Sequence, residues 1–181
     1  MQFALDKSLA LLAHTPAALR ALLADLPDDW TSGNEGPDTW SPYDVLGHLI
    51  HGERTDWMTR LRIILENGPD KPFAPFDRFA QFEESEGKSL TMLLDEFALA
   101  RADNLKSLRA LNLSDADLDR TGTHPSFGTV TARQLLATWT VHDLDHIVQV
   151  SRVMARQFEG EVGPWIKYLR IIRDPLVQEP S

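Results

Sequence analysis

The sequence predicts an all-α protein, a four-helix bundle with a short extra helix towards its C-terminal end. Three long segments begin at a helix-capping residue and continue with apolar residues at helical spacing. No alternating apolar and polar pattern is long enough to indicate a β-strand. The 181 residues are 43% hydrophobic and 25% charged, which is ordinary globular composition. We therefore expect one domain over residues 1–181.

The first helix is predicted to begin near Met1 and to be interrupted at Pro16. Thr15 can cap a helix and proline suits the first helical position, so a second stretch is expected to continue to Leu26. The following segment, 27–39, is rich in Asp, Gly and Pro and is predicted to be a loop.

The second main helix has the clearest start. Ser41 is a predicted N-cap and Pro42 follows it at the first helical position. The helix is expected to run to about Glu66, where Asn67, Gly68 and a proline stop it. Its predicted core stripe consists of Leu46, Ile50, Trp57, Leu61 and Ile64.

Two long connections flank the third predicted helix, 89–111. The first connection, 71–87, contains four phenylalanines, which we interpret as anchors of a loop and which could also wall a pocket. The second connection covers 112–130 and carries no recognisable element.

The fourth main helix is predicted to open with a capping box at Thr131 and to end near Phe158, before a short last helix over 164–173. At about 100° per residue, one side of it has the composition of a core face. That side consists of Leu136, Thr140, Leu144, Ile147, Val148, Ser151 and Ala155. His142 and His146 lie roughly opposite on a second apolar side, where we expect a cleft or a subunit interface.

Three histidines form a candidate metal site. His142 and His146 are four residues apart and therefore share a helical face. His48 lies opposite the core stripe of the second helix, and Gly52, one turn later, leaves space beside it. Three neutral imidazoles favour zinc or nickel and also suit manganese, iron or cobalt. They leave at least one position for water or substrate, as catalytic sites do.

His51 is the main alternative ligand, because it follows His48 by three residues on the same helix. We predict instead that it contacts the ligands or the substrate. The residues predicted to line the pocket or to orient the ligands are His51, Gly52, Thr55, Trp139, Asp143, Asp145 and Trp165.

Composition excludes several function classes. The chain has no cysteine, so disulfides, thiolate metal sites and cysteine nucleophiles are ruled out. A net charge of −9 disfavours nucleic-acid binding. No apolar run is long enough to span a bilayer, and charges come too early for a signal peptide, so we expect a cytoplasmic protein. The H-E-x-x-H, Walker A and G-x-S-x-G motifs are absent.

Two motifs resemble those of the DinB/YfiT-like superfamily. They are residues 40–49 (WSPYDVLGHL) and 139–150 (WTVHDLDHIVQV), and similar segments at 15–23 and 163–165 extend the resemblance over nearly the whole chain. The resemblance implies a four-helix bundle in which His48, His142 and His146 face a divalent metal ion, and it implies a homodimer. Some members of the superfamily are thiol S-transferases or isomerases that use mycothiol or bacillithiol, and others resemble hydrolases.

The sequence therefore predicts a metal-dependent enzyme that acts on a small molecule, of the thiol S-transferase or hydrolase type. Because the chain has no cysteine, a thiol nucleophile would have to come from a low-molecular-weight cofactor. The alternative is a metal-binding or stress-response protein of the same fold without catalysis.

Overall fold

A computed structural model describes residues 3–174, and its long helices form a four-helix bundle. The helices of the bundle are α1 (Leu5–Leu23), the consecutive pair α3 (Pro42–Thr55) and α4 (Trp57–Asn67), α6 (Leu90–Ala110) and α8 (Ala132–Arg156). Helix α6 packs against α1 and α3, and α8 also contacts both of these helices. The predicted all-α bundle is confirmed.

Shorter helices occupy segments that were predicted to be loops. These are α2 (Asp28–Ser32), α5 (Ala80–Ser85) and α7 (Asp115–Leu118). The predicted last helix consists of a 3₁₀ turn, Gly163–Tyr168, and α9 (Arg170–Arg173). The predicted helix start near Met1 lies outside the described residues. Between residues 3 and 174, no helix is both long and apolar enough to cross a membrane.

A β-hairpin lies in the connection before α8. Strands β1 (Thr121–His124) and β2 (Gly128–Thr131) pair antiparallel, and the amide of Phe73 donates to the Thr123 carbonyl at 2.9 Å. The prediction of no recognisable element over 112–130 was wrong here. Strands of four residues are too short to show an alternating pattern.

Local capping sets the starts of three bundle helices, and the caps of two of them, Ser41 and Thr131, were predicted. The side chains of Ser41, Ser89 and Thr131 accept hydrogen bonds from backbone amides in the first turns of α3, α6 and α8. Ser41 and Thr131 form full capping boxes. Each cap satisfies amides that have no partner within the helix.

Helix α1 continues through Pro16, so the predicted interruption was wrong. Proline has no N–H, and the carbonyl of Leu12, four residues earlier, therefore loses its helical partner. The buried guanidinium of Arg101 replaces it, since Nη1 donates to the Leu12 oxygen at 2.8 Å. A contact between distant residues thus replaces the hydrogen bond that the proline cannot make.

The second predicted helix is divided at Asp56, whose φ and ψ are −108° and −75°. The Asp56 amide still donates to the Gly52 carbonyl, and its carbonyl accepts from the Arg60 amide, so helical hydrogen bonding spans the break. The predicted core stripe is confirmed, because all five of its residues are buried: Leu46, Ile50, Trp57, Leu61 and Ile64.

A buried polar layer separates two apolar clusters along the bundle. One cluster contains Trp57, Leu61 and Leu105, and the other contains Leu46 and Phe97. Between them on α3, α6 and α8 lie the polar side chains of Glu53, Arg101 and Asp143, all at most 4% exposed.

The polar layer corrects the predicted orientation of α8. Leu144 and Val148, which were predicted to be core residues, are 44% and 59% exposed. The opposite side, with Trp139, Asp143 and His146, is buried. The prediction relied on hydrophobic composition alone. The side of α8 that carries Asp143 is buried instead, because Asp143 forms an ion pair with Arg101.

Candidate metal centre

The structure brings the three predicted histidines together. His48 Nε2 lies 3.1 Å from His142 Nε2, and His146 Nε2 lies 3.0 Å from the same atom. One ligand atom from each ring lies within 4.8 Å of the others, and no other such group is found within residues 3–174. The i and i+4 spacing on α8 supplies two of the rings, and α3 supplies the third.

The spacing of these nitrogens suits a shared cation. At the zinc–imidazole distance of ~2.0–2.1 Å, two ligands at about 90° to 109° are about 2.8 to 3.4 Å apart. The two Nε2 separations that involve His142 fall inside this range. His142 is therefore spaced from each of the other two histidines as a neighbouring ligand of one ion would be.

Two glutamines orient the rings of this cluster. His48 Nδ1 lies 3.1 Å from Gln81 Oε1, and His146 Nδ1 lies 2.7 Å from Gln149 Oε1. With these amide oxygens as acceptors, each Nδ1 carries the proton and each Nε2 presents a lone pair. Hydrogen bonds of this kind fix the tautomer of metal-binding histidines.

Without a cation, the three facing Nε2 atoms carry more lone pairs than N–H protons. His142 Nε2 faces two lone pairs and can donate to only one of them. Its other nitrogen, Nδ1, is buried and has no hydrogen-bond partner. A cation among the three nitrogens accepts all three lone pairs, so the donor set fits a metal ion.

Burial keeps two of these imidazoles neutral. Burial, with the nearby His146, lowers the pKa of His48 to about 3. Burial, followed by the charges of His146, His48 and Arg101, lowers the pKa of His142 to about 2. Neutral imidazole is the form that binds metal, so protons do not compete at these two rings near pH 7.

Aromatic rings surround the cluster. Trp40 lies 4.8 Å from His48 and stacks on His146 at 6.5 Å, while Phe76 meets His48 edge-on at 5.3 Å. Trp57 meets His142 edge-on at 5.0 Å. These rings exclude water from the sides of the site and strengthen electrostatic interactions within it.

Gly52 makes room for one of these aromatic rings. A Cβ at this position would come within 3.3 Å of the Trp57 indole nitrogen. The space that the glycine was predicted to leave beside His48 is therefore limited by Trp57, which packs against His142.

His51 lies beside the cluster but outside it. Its Nδ1 bonds to Glu84 Oε1 at 3.0 Å, and Phe76 contacts its ring at 5.1 Å. Thr55 is exposed and donates to the His51 carbonyl at 2.8 Å. Both residues line a cavity next to the site.

The remaining predicted pocket residues take varied positions. Trp139 is fully buried, stacks on Trp57 at 5.7 Å and donates through Nε1 to Glu53. Asp143 is buried and pairs with Arg101, whereas Asp145 is exposed. Trp165 is 68% exposed, after the end of α8. Trp139 and Asp143 thus support the site from the core.

The buried polar layer holds α3, α6 and α8 in register at the site. Arg101 makes a bidentate pair with Asp143 at 2.6 and 2.9 Å and a further bond to Glu53 at 2.8 Å. Asn104 donates to Glu53 Oε2 at 2.9 Å. Because Asp143 follows His142 directly, this pairing fixes the rotation of α8 that aims its histidines at His48.

Several residues of the site carried no usable signal in the sequence. Gln81 lies on a six-residue helix inside a predicted loop, and Arg101 resembles any polar residue of an amphipathic helix. Phe76 was predicted only as one of four loop phenylalanines. Trp40 and Gln149 lie inside the two motifs, but the motifs did not indicate what these residues do.

Comparisons with known proteins agree with this fold. The family model described as the DinB superfamily matches residues 11–150, which include all three histidines. No curated protein sequence matches the chain. Among solved structures, the chain is similar to YfiT from Bacillus subtilis, described as "a probable metal-dependent hydrolase with an unusual four-helix bundle topology". The TM-score is 0.73 at 20% identity, over 86% of this chain and 90% of that one, which shows a shared fold.

Proposed function

The chain belongs to the DinB superfamily, and from this premise we propose that it is a metal-dependent enzyme acting on a small molecule. His48, His142 and His146 hold one divalent ion, with zinc or nickel favoured over manganese, iron or cobalt. The observation that carries the proposal is the convergence of three Nε2 atoms at separations of 3.0 and 3.1 Å from the central one.

Three histidines leave an open coordination position, which distinguishes a catalytic site from a closed structural one. A divalent ion in such a site lowers the pKa of a bound water or thiol and so supplies a nucleophile at neutral pH. Gln81 and Gln149 keep the Nδ1 protons of two ligands in place. Trp40 and Phe76 keep water away from the sides.

We propose hydrolysis or thiol S-transfer as the reaction type. The description of YfiT as a metal-dependent hydrolase supports the first. For the second, a low-molecular-weight thiol has to be bound from solution, since the chain has no cysteine. Metal-dependent turnover in assays with small electrophiles, run with and without added thiols, separates the two reactions.

A non-catalytic metal-binding or stress-response protein is the alternative function. The same three nitrogens support it equally well, because they describe the site and not a reaction. The two functions differ in the expected state of the remaining coordination positions.

We expect cobalt-substituted protein to have an open site. Three histidine ligands leave room for exchangeable water, so adding azide or a small thiolate should shift the visible d–d absorption of the cobalt ion. The His142→Ala variant, treated identically, serves as the control for cobalt bound elsewhere. A cobalt spectrum that does not respond to either ligand would show a closed site and contradict the catalytic proposal.

We also propose that the protein forms a homodimer through the outer side of α8. Val141, Leu144 and Val148 are 62%, 44% and 59% exposed and follow the 3-and-4 spacing of a helix-packing seam. We expect sedimentation to give a dimer that Val148→Glu converts to a monomer, while Leu99→Glu, at a 68% exposed position of α6, changes nothing. A monomeric wild-type protein at micromolar concentration would contradict this proposal.

A cytoplasmic location and the absence of a nucleic-acid partner stay predictions of the sequence.

A further inference from the structure

A cavity of about 260 Å³ lies next to the candidate metal centre. Its lining includes His51, Thr55, Asp56, Arg60, Phe76 and Asp77. Phe76 is shared by the two sites, because its ring lies 5.3 Å from that of His48 and 5.1 Å from that of His51. A molecule in the cavity is therefore one aromatic ring away from the histidine cluster.

The polar atoms that face this cavity are mainly hydrogen-bond acceptors. His51 is 5% exposed, and its Nδ1 faces the carboxylate of Glu84, which can only accept, so the proton lies on Nδ1. In the neutral form of the ring, this tautomer presents the lone pair of Nε2. Thr55 uses its hydroxyl proton on the His51 carbonyl and presents oxygen lone pairs.

Two carboxylates and one guanidinium line the cavity, and Arg78 follows the second carboxylate in the chain. Asp56 forms an ion pair with Arg60, and Asp77 adds a second carboxylate whose Oδ1 accepts from the amides of Phe79 and Ala80. The Asp56 and Arg60 charges compensate each other in this pair, so the carboxylate of Asp77 is the charge that remains on the lining. Arg60 is the cation on the lining, and the Arg54 guanidinium faces Glu84 behind His51 at 3.7 Å.

We propose that the cavity binds the ammonium group of a small amine and that the substrates of this protein are small amine-bearing molecules. An ammonium group offers three donors and no acceptor, which complements His51 Nε2, the Thr55 oxygen and Asp77. Ile63, Pro75 and Phe76 supply apolar wall for its carbon atoms. The volume of about 260 Å³ limits the ligand to a small one.

This inference deepens the proposed function and rests on it for the reaction, but binding can be measured separately. We expect calorimetric titration with butylamine to give saturable binding to both metal-free and metal-loaded protein. Butanol and butyrate, which match it in size, should bind at least about tenfold more weakly, the factor that corresponds to 1.4 kcal/mol. Equal binding of the three compounds, or no binding of butylamine, would overturn the proposal.

The Asp77→Asn variant tests the site directly. Asparagine retains an oxygen for the amides of Phe79 and Ala80 and removes the charge, so the fold should persist while butylamine affinity falls several-fold. Asp70 is an exposed acid in the 3₁₀ turn Gly68–Asp70, and Asp70→Asn is the matched control that should bind like the wild type. An unchanged affinity in Asp77→Asn would overturn the inference.

Metal analysis of the same samples separates the two proposals. Butylamine binding by a protein that takes up no metal when metal is supplied supports the cavity assignment and contradicts the proposed function. Metal retention without butylamine binding overturns the cavity assignment and leaves the metal centre intact.

Discussion

Replacing Arg101 by methionine is expected to lower the free energy of unfolding by about 3–5 kcal/mol, the usual cost of removing one partner from a buried ion pair. The guanidinium is 1% exposed and compensates the buried carboxylates of Glu53 and Asp143. It also supplies the donor that the Leu12 carbonyl lacks because of Pro16. Methionine fills much of the volume but donates no hydrogen bond to Asp143 or to the Leu12 carbonyl, and Glu53 keeps only its bonds from Asn104 and Trp139.

Urea denaturation measures this loss, and Arg20→Met is the matched control. Arg20 forms a comparable 2.6 Å pair with Asp95, but both side chains are partly exposed, so the control should lose less than about 1 kcal/mol. A triple variant that also carries Glu53→Gln and Asp143→Asn should recover part of the stability, because the cost arises from uncompensated charge. Equal losses in Arg101→Met and Arg20→Met would show that the polar layer does not stabilise the fold.

Replacing any one of His48, His142 or His146 by alanine is expected to abolish stoichiometric metal binding. Even the loss of residues that only orient ligands costs ~10–100-fold in metal affinity, so the loss of a ligand should cost more. Helical circular dichroism should stay close to that of the wild type, because the bundle core lies in the two apolar clusters. Metal content after gel filtration is the measurement.

Three further variants compare the loss of a ligand with the loss of a residue that orients a ligand and of histidines outside the cluster. Gln81→Leu should weaken metal binding by ~10–100-fold, because it frees the ring of His48. His51→Ala and His14→Ala should retain the metal, since His51 lies outside the cluster and His14 is exposed on α1. If His51→Ala loses the metal and His48→Ala keeps it, the proposed ligand set is wrong.

Features of the fold that depend on residues close together in the sequence could be predicted. The starts of α3, α6 and α8 were correct because an N-cap acts within one helical turn. The grouping of His142 with His146 follows from helical periodicity alone. Their approach to His48 was predicted from its place opposite the core stripe of the second helix, with which the family resemblance agreed, and the structure brings the three rings together.

Features that depend on contacts between residues far apart in the sequence could not be predicted in this way. Pro16 was taken as a helix boundary because its replacement donor, Arg101, lies 85 positions away in the sequence. The predicted core side of α8 was wrong at Leu144 and Val148, because the buried side contains Asp143, which pairs with Arg101. Gln81 lies 33 residues from His48, on a helix too short for periodicity to reveal.

X-ray absorption spectroscopy of the purified zinc-loaded protein tests the central claim most directly, because it counts the imidazoles around the ion. We predict three imidazole nitrogens at ~2.0–2.1 Å and at least one oxygen from solvent. The imidazole count should fall in His142→Ala and stay at three in His51→Ala. A shell of carboxylate oxygens with fewer than three imidazoles in the wild-type protein would contradict the three-histidine metal centre.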